Sequence, residues 1–347
     1  MISPLELVQR QRTLASHKIH TLPIVVLMPH SRCNCRCVMC DIWKANTQKR
    51  EISTEDLERH LDVFSRFRVQ RVVLSGGEAL LHRNLWALCG LLKGRNCRIT
   101  LLSTGLLLGK HAVEVARWCD DVIVSLDGSR PVHDSIRRVP RAFDRLAAGV
   151  AALKSSTPSF RVTGRSVIQR ANFLDMPNII DAAHALGLDG ISFLPADVSS
   201  EAFNRPNPWD GERVAEVALS IADVAALRNV VEDLVDKYAD DFASGYIAEA
   251  PQKLRRLPAY FAAVNGTGAY PETSCNAPWV STVIEADGTV RPCFFHRSLG
   301  NIHDAPLDAI LNAPASIAFR RSLDVKRDDT CRRCVCTLQL GPAQRVP

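Results

Sequence analysis

Three cysteines near the N-terminus, Cys33, Cys37 and Cys40, follow the spacing Cx3Cx2C. A loop this short can bring three thiolates to one point, where they could hold one face of a cubane iron–sulfur cluster. A [4Fe–4S] cluster contains four irons, so three protein ligands leave one iron open to another molecule. An open iron makes the cluster a reaction centre as well as an electron carrier. This pattern therefore predicts an enzyme.

The composition is that of a globular protein. The chain has 347 residues, 46% of them apolar, twelve cysteines and a formal net charge of +6. Its scattered basic residues give no support to a nucleic-acid or membrane partner, and we expect neither. It shows neither an N-terminal signal core nor an apolar run of about 18 residues. We therefore expect a cytoplasmic protein, in which metal ligands and free thiols are commoner than disulfides.

Apolar runs alternate with helical patterns between about residues 20 and 200. The predicted strands are 24–28, 71–75, 98–102, 122–126, 160–168 and 190–194. The predicted helices are 54–67, 85–93, 110–118, 142–154 and 177–186. Such repeats predict a parallel sheet with right-handed crossovers, either doubly wound or closed into a full or partial barrel. Reactive groups should then lie at the carboxyl ends of the strands.

Two further motifs follow predicted strands. Gly76, Gly77 and Glu78 come after the second strand, and paired glycines allow a ligand to approach the backbone closely. Ser125 and Asp127 end the fourth strand, where a hydroxyl and a carboxylate suit the hydroxyls of a sugar. Turns use the same residue types, so each motif alone is weak. Together with the cysteine loop, their order along the strands indicates one site.

A second group of cysteines occupies the C-terminal part of the chain. A β-hairpin predicted at 280–293 separates the first two in sequence and would bring them together in space. A helix predicted at 307–323 would deliver the others. Thiolates arranged in this way could hold zinc or an iron–sulfur cluster on spacing alone. The group consists of Cys275, Cys293, Cys331, Cys334 and Cys336.

The N-terminal cysteine loop and the strand-end motifs resemble the radical SAM superfamily, from about residue 30 to 334. The resemblance implies that Cys33, Cys37 and Cys40 hold a [4Fe–4S] cluster whose open iron chelates S-adenosylmethionine. Reductive cleavage would then give a 5′-deoxyadenosyl radical, which removes a hydrogen atom from the substrate. It also implies a flavodoxin- or ferredoxin-type reductant. Cys35 makes a second triplet with Cys37 and Cys40 conceivable, but the family spacing favours Cys33, with Cys35 as a bystander thiol.

The same resemblance assigns contacts to S-adenosylmethionine. The GGE motif would contact the methionine amino group, the Ser-Leu-Asp turn the ribose, and the arginine of an HDxIR pattern the methionine carboxylate. A Ser-Thr-Gly turn follows the third strand, where the family commonly has an asparagine. The expected cofactor-binding residues are therefore Gly76, Gly77, Glu78, Ser103, Ser125, Asp127 and Arg137.

The C-terminal cysteines resemble the twitch domain, a shortened SPASM domain that houses one auxiliary [4Fe–4S] cluster. The resemblance implies four ligands, which are Cys275, Cys293, Cys331 and Cys334. Cys336 could replace Cys334 as a ligand, act as a redox or hydrogen-donating thiol, or be a spare neighbour of the cluster. The expected fold is α/β, with an N-terminal extension (1–21), a partial (β/α)6 barrel (22–200), a helical linker or cap (201–270) and a small α+β twitch domain (271–340) with a β-hairpin and a helix.

A cluster ligated by four cysteines has no vacant iron, so its expected role is to accept an electron. The leading hypothesis is a radical SAM oxidoreductase that dehydrogenates a hydroxylated small molecule, such as a sugar or an aminocyclitol. One enzymatic alternative is an epimerase in which Cys336 or Cys35 donates a hydrogen atom. Another is a peptide maturase that forms thioether or carbon–carbon crosslinks. Outside enzymology, the chain could be an interaction protein that binds a cluster or zinc.

Overall fold

A computed structural model describes residues 2–346, in which nine strands form one continuous sheet. The strand order is β6-β5-β4-β3-β2-β1-β7-β8-β9. The strands are β1 (Ile24–Leu27), β2 (Arg71–Leu74), β3 (Arg98–Ser103), β4 (Asp121–Ser125), β5 (Arg161–Ile168), β6 (Ile191–Pro195), β7 (Ser281–Ile284), β8 (Thr289–Arg291) and β9 (Gly300–Asn301).

Helices connect these strands and cover the sheet. Up to β6 they are α1 (Pro4–Ser16), α2 (Thr54–Glu58), α3 (Leu61–Arg66), α4 (Leu85–Lys93), α5 (Ala112–Trp118), α6 (Arg130–Arg137), α7 (Ala142–Ser156) and α8 (Met176–Ala185). After β6 they are α9 (Gly211–Val217), α10 (Ile221–Lys237), α11 (Ala239–Ser244), α12 (Pro251–Leu254), α13 (Arg256–Val264), α14 (Ala277–Val280), α15 (Leu307–Leu311), α16 (Pro314–Ser322) and α17 (Asp329–Arg332). Short 3-10 turns occupy Ile42–Thr47, Ala79–Leu81, Leu108–His111 and Phe173–Asp175.

Strands β1 to β6 are all parallel and neighbour one another in chain order, which confirms the predicted α/β fold. Alternate residues of each strand point to opposite faces. One face is fully buried against the helices, whereas the other keeps half-exposed side chains. We call this second face the inner face. Its half-exposed residues are Val26, Val73, Leu102, Ile123, Ser125, Thr163, Arg165, Val167, Ser192 and Leu194.

The C-terminal hairpin continues the same sheet. Strand β7 pairs in parallel with β1, with Val283 opposite Val26, and β8 and β9 then add antiparallel strands. The sequence predicts the hairpin but not this pairing. The hairpin turn therefore lies at the carboxyl end of β1, where the N-terminal cysteine loop departs, whereas Cys275 before β7 and Cys293 after β8 lie towards the amino end of β1.

Two predicted helices are wrong as single elements. The helix predicted at 54–67 divides at His60, whose Nε2 lies 3.1 Å from the Ile302 carbonyl and whose Nδ1 accepts a bond from the Leu307 amide at 3.3 Å. These contacts tie the break to the C-terminal part of the chain. The helix predicted at 307–323 divides before Pro314, because proline lacks the amide hydrogen and clashes with the preceding turn.

The N-terminal segment also forms a helix, which the sequence analysis left undescribed. Ser3 caps α1 by accepting a bond from the Glu6 amide at 3.2 Å, and Pro4 suits the first turn. Arg10 reaches the Gly341 carbonyl at 3.2 Å, so α1 packs beside the end of the chain. No helix within residues 2–346 combines the length and the apolar content that crossing a membrane requires.

Candidate active site

The loop that carries Cys33, Cys37 and Cys40 follows β1 and is pinned to the end of α6. The amides of Arg36 and Val38 donate to carbonyls at the end of α6, each at 3.1 Å. The side-chain oxygen of Asn46 accepts a bond from the Cys33 amide at 2.8 Å. Backbone and side-chain bonds thus hold both ends of the loop, which fixes where its sulfur atoms converge.

The sulfur atoms of this loop influence one another's ionisation. A hydrogen bond from the Cys35 thiol and the charge of Arg137 lower the pKa of Cys37 to about 6, against the effect of burial. Burial and the nearby sulfurs of Cys37 and Cys33 raise the pKa of Cys40 to about 12. The thiolate is the form that binds metals. The loop therefore holds one ready thiolate beside thiols that would lose a proton on binding iron.

Cys35 lies between two of the expected ligands. Its thiol is hydrogen-bonded to the sulfurs of Cys33 and Cys37, and these bonds, with burial, raise its pKa. Its backbone amide also lies 3.4 Å from Cys33 Sγ. Only 1% of Cys35 is exposed. Cys35 is therefore a protonated thiol that donates hydrogen bonds to the sulfurs of Cys33 and Cys37.

A segment that follows β6 covers the other side of the cysteine loop. Arg205 donates to Asp197 at 2.7 Å and to the Met39 carbonyl at 3.5 Å, and its guanidinium lies 3.8 Å from the centre of the Trp209 ring. Trp209 Nε1 in turn donates to Asp41 at 2.9 Å. This buried network fixes the loop next to Cys40.

The two glycines of the GGE motif make room for the cysteine loop itself. A Cβ added at Gly77 would lie 2.1 Å from the carbonyl oxygen of Arg32. The backbone of Gly76 has a φ of +102°, which residues other than glycine rarely adopt. The Glu78 amide then donates to the same Arg32 carbonyl at 2.9 Å. Gly77 must therefore be glycine because the backbone of the cysteine loop, at Arg32, lies against it.

The Glu78 carboxylate is fully buried and accepts four hydrogen bonds. One oxygen accepts from Ser103 Oγ at 3.0 Å and from the Leu80 amide at 3.2 Å. The other accepts from the amide and hydroxyl of Thr104, at 2.8 and 2.6 Å. Burial raises the pKa of Glu78, and these hydrogen bonds act in the opposite direction. Ser103, expected to contact the cofactor, here positions Glu78.

We expect Glu78→Gln to destabilise the protein by about 1–3 kcal/mol, since an amide nitrogen would face donors that need an acceptor. We also expect weaker binding of S-adenosylmethionine. Denaturant unfolding and equilibrium binding measure the two effects. The control is Glu232→Gln at an exposed salt bridge, which should change stability by about 0.5 kcal/mol or less. Equal stability of Glu78→Gln and wild type would contradict the role given to this carboxylate.

Arg137 and Asp127 form a buried ion pair beside the cysteine loop. Asp127 also accepts a hydrogen bond from the Val167 amide at 2.9 Å and is fully buried. Arg137 Nη1 lies 3.4 Å from Cys37 Sγ. The arginine thus bridges a carboxylate and a cysteine sulfur and does not face open space. Of the Ser-Leu-Asp motif, Ser125 is the residue with a half-exposed side chain on the inner face.

His133, fully buried beside this pair, gives the structure a pH dependence. Burial and then the charge of Arg137 lower its pKa to about 3 from a usual 6.5. A neutral His133 therefore contributes stability that is complete above pH 6.5 and is lost as the pH falls towards 3. We expect the free energy of unfolding to decline over that window. His133→Asn, which keeps an acceptor for the Asp127 amide bond at 3.2 Å but does not titrate, should decline less. Identical slopes would contradict this assignment.

Two amide side chains have buried polar atoms without a partner among residues 2–346. These are Nδ2 of Asn34, within the cysteine loop, and both polar atoms of Gln169, which follows β5. Unpaired buried polar atoms are costly, so a polar ligand beside them is expected. With the half-exposed inner face, they fit the amino, carboxylate, ribose and adenine groups of S-adenosylmethionine.

All five C-terminal cysteines line one small cavity. Its other walls include Pro278, Phe295 and Val325, and burial raises the pKa of Cys293 to about 11. His296 Nε2 lies 3.3 Å from Cys331 Sγ. Five sulfurs around a largely apolar space fit a cubane cluster with four thiolate ligands and one sulfur to spare.

A cleft lies between this cavity and the inner face of the sheet. Cys334 and Cys336 line one side of it, and Arg165 from the middle of β5 and the end of β6 line the other. Arg165 and Leu194 enter it from the inner face. A molecule in this cleft would therefore lie between the barrel interior and the auxiliary cysteines.

Several residues of this site are not among those predicted from the sequence. Thr104 makes two bonds to Glu78, and its position directly after β3 is the signal that could have identified it. Asn34 and Gln169 carry no comparable signal, because only burial shows that their amides lack partners. His296 is near the C-terminal cysteines in sequence, but only the fold shows its contact with Cys331.

Comparison with known families matches two regions of the chain. The Radical SAM superfamily matches residues 27–183, which contain the N-terminal cysteine loop and strands β2 to β5. An iron–sulfur cluster-binding domain named SPASM matches residues 275–335, which contain four of the five C-terminal cysteines. These matches agree with the resemblances drawn from the motifs.

Two similar proteins span most of this chain. The Fe-coproporphyrin III synthase of Methanosarcina barkeri is 24% identical over 331 residues, covering 90% of this chain and 80% of that protein. The subtilosin biosynthesis protein AlbA of Bacillus subtilis is 24% identical over 293 residues, covering 82% of this chain but only 58% of that protein.

Among solved structures, SuiB of Streptococcus suis bound to S-adenosylmethionine has a similar fold. The TM-score is 0.64 at 15% identity, covering 94% of this chain and 75% of SuiB. SuiB bound to its precursor peptide SuiA gives a TM-score of 0.62 at 15% identity, covering 99% of this chain and 80% of SuiB. The chain therefore contains a radical SAM domain at residues 27–183 and an iron–sulfur cluster-binding domain of the SPASM type at residues 275–335.

Proposed function

We propose that this radical SAM enzyme oxidises a hydroxylated small molecule, such as a sugar or an aminocyclitol, bound in the cleft between the barrel and the C-terminal cysteines. The observation that carries the proposal is the cleft itself, which borders the inner face on one side and Cys334 and Cys336 on the other. The names of the similar proteins refer to unrelated products and therefore do not indicate one reaction.

We assign the first cluster to Cys33, Cys37 and Cys40, and the auxiliary cluster to Cys275, Cys293, Cys331 and Cys334. When bound, S-adenosylmethionine and the first cluster supply a 5′-deoxyadenosyl radical, using an electron from a flavodoxin- or ferredoxin-type protein. The chain's part is to hold these groups. Asn34, Gln169 and Ser125 offer polar atoms to the ligand, whereas Glu78, Arg137 and Asp127 fix the loop and the strand ends.

Oxidation of an alcohol requires removal of a hydrogen atom, an electron and a proton from the substrate. The S-adenosylmethionine site at the first cluster would supply the radical that removes the hydrogen atom, and an auxiliary cluster held by Cys275, Cys293, Cys331 and Cys334 would supply an acceptor for the electron. Glu249 is the carboxylate of the cleft, and burial raises its pKa, which suits a proton acceptor. The carbon–oxygen single bond then becomes a carbonyl.

The test is anoxic turnover with candidate alcohols. We expect an oxidised product formed in proportion to 5′-deoxyadenosine. A product isomeric with the substrate, carrying deuterium from heavy water, would instead indicate epimerisation, with Cys336 or Cys35 as the hydrogen donor. Cys336→Ala separates these outcomes, because it would stop a Cys336-dependent epimerase and leave an oxidase active.

A peptide substrate is the second candidate. SuiB, whose fold is similar, has been seen with a precursor peptide, and AlbA is a bacteriocin biosynthesis protein. In this chain a second cleft is also lined by Cys334. Two clefts that meet at one cysteine offer room for an extended chain. A small precursor gene beside this one, and crosslinked product from that peptide, would favour this reading.

A further inference from the structure

We propose that the cleft binds the anionic group of its substrate, a carboxylate or a phosphate, through Arg165 and Arg256. The inference rests on the proposed function only in taking this cleft as the substrate site. It adds a charge to the substrate class, and it separates the two small-molecule classes named above. An acidic sugar fits the cleft, and a cationic aminocyclitol does not.

Arg165 is placed by the strand register. It pairs with Ser125 of β4 and with Ser192 of β6, so its side chain leaves the same inner face as theirs. Its Nε lies 3.3 Å from Ser192 Oγ, and no carboxylate among residues 2–346 lies within 4.0 Å of its guanidinium. A half-buried guanidinium without a carboxylate partner is a ready ligand for an anion.

Arg256 adds a second guanidinium without a salt bridge, from helix α13, to the lining of the same cleft. It begins α13, is half-buried and lines the cleft, and it too forms no salt bridge within the described chain. Lys253, one turn earlier, lies 3.8 Å from Glu249. Glu249 is therefore engaged by Lys253 and by the Phe193 amide, at 2.8 Å. The charge of Arg165 also acts on Glu249, but neither Arg165 nor Arg256 forms a salt bridge with it within 4.0 Å.

The charges of the lining are unequal. Four cationic side chains face the cleft against one carboxylate, and they are Arg165, Lys253, Arg256 and Arg332, with Glu249 as the carboxylate. Arg332 and Lys253 are exposed, and they contribute less to the attraction of an anion because water screens their charges. A ligand with a negative group gains charge-assisted hydrogen bonds here, whereas an ammonium group meets like charge.

The test measures binding without turnover. The anoxically reconstituted full-length protein, with S-adenosylmethionine present, is titrated calorimetrically with D-glucuronate, D-glucose 6-phosphate, D-glucose and 2-deoxystreptamine. We expect one or both anionic probes to bind more tightly than glucose, and added salt to weaken them. The tighter anion shows whether a carboxylate or a phosphate is preferred. Arg165→Gln and Arg256→Gln should each weaken anion binding about 10- to 100-fold and leave glucose unchanged.

The matched control is Arg228→Gln, which removes the same charge from an exposed position on α10 outside the cleft and should bind like wild type. Iron content and melting temperature confirm that each variant is folded. The proposal is overturned if no anionic probe binds more tightly than glucose, or if the two cleft variants bind anions normally. Neither result depends on whether the product is oxidised or isomeric. Failure of the anion-binding proposal would therefore not contradict the oxidation proposal, which the turnover experiment tests separately.

Discussion

Replacing Cys37 by alanine is expected to remove the N-terminal cluster and leave the auxiliary one. Iron should fall from about eight to about four per chain, and cleavage of S-adenosylmethionine should stop. The reason is geometric and electrostatic, because Cys37 is the buried thiolate that Arg137 and the Cys35 thiol both stabilise. Iron analysis and the yield of 5′-deoxyadenosine after reduction measure the two effects.

The matched controls for this experiment are two other buried cysteines. Cys97→Ala removes a buried thiol outside both groups and should keep all the iron. Cys35→Ala should also keep it, if Cys33 is the third ligand, although Cys37 then loses a hydrogen-bond donor. Loss of the first cluster from Cys35→Ala but not from Cys33→Ala would show that the other triplet is used. A Cys37→Ala protein with full iron would contradict the assignment.

Replacing Gly77 by alanine is the second large effect that we expect. The added methyl group would meet the Arg32 carbonyl at 2.1 Å, and backbone on both sides limits how far either can move. Overpacking of this kind costs about 1–3 kcal/mol. Relief of the contact would push the cysteine loop away from Glu78, so reconstitution of the first cluster should fail as well.

Gly211→Ala is the control for this second prediction. Its added Cβ meets nothing within 4 Å at the start of α9, so it should leave iron content and stability nearly unchanged. Thermal unfolding and iron analysis of the two variants provide the comparison. A Gly77→Ala protein with normal iron and a normal melting temperature would show that the loop does not depend on this close approach.

The parallel sheet could be predicted from sequence because its signals are local. The apolar runs at 24–28 and 71–75 are short, rich in β-branched residues and bounded by motifs, and the strands lie within one residue of these limits. The helix predicted at 85–93 coincides with α4. The predicted helix boundaries were wrong where contacts with distant residues determine where a helix ends. One such place is His60, whose partners Ile302 and Leu307 lie far along the chain.

The arrangement of the site could be predicted only in part. Spacing placed the cysteines in two groups, and the structure brings each group together. The spacing of residues could not show that the Arg137 side chain points towards Asp127 and Cys37, because this orientation depends on the burial of all three residues. Nor could it show that Arg165 would enter the cleft, since an isolated arginine in a strand is usually solvated.

Electron paramagnetic resonance of the reduced protein, recorded before and after S-adenosylmethionine is added, tests the central claim most directly. Our account predicts signals from two [4Fe–4S] clusters, only one of which changes on addition of S-adenosylmethionine, and Cys37→Ala should remove the signal that changes. A spectrum that S-adenosylmethionine leaves unaltered, or a protein that contains zinc in place of iron, would contradict it.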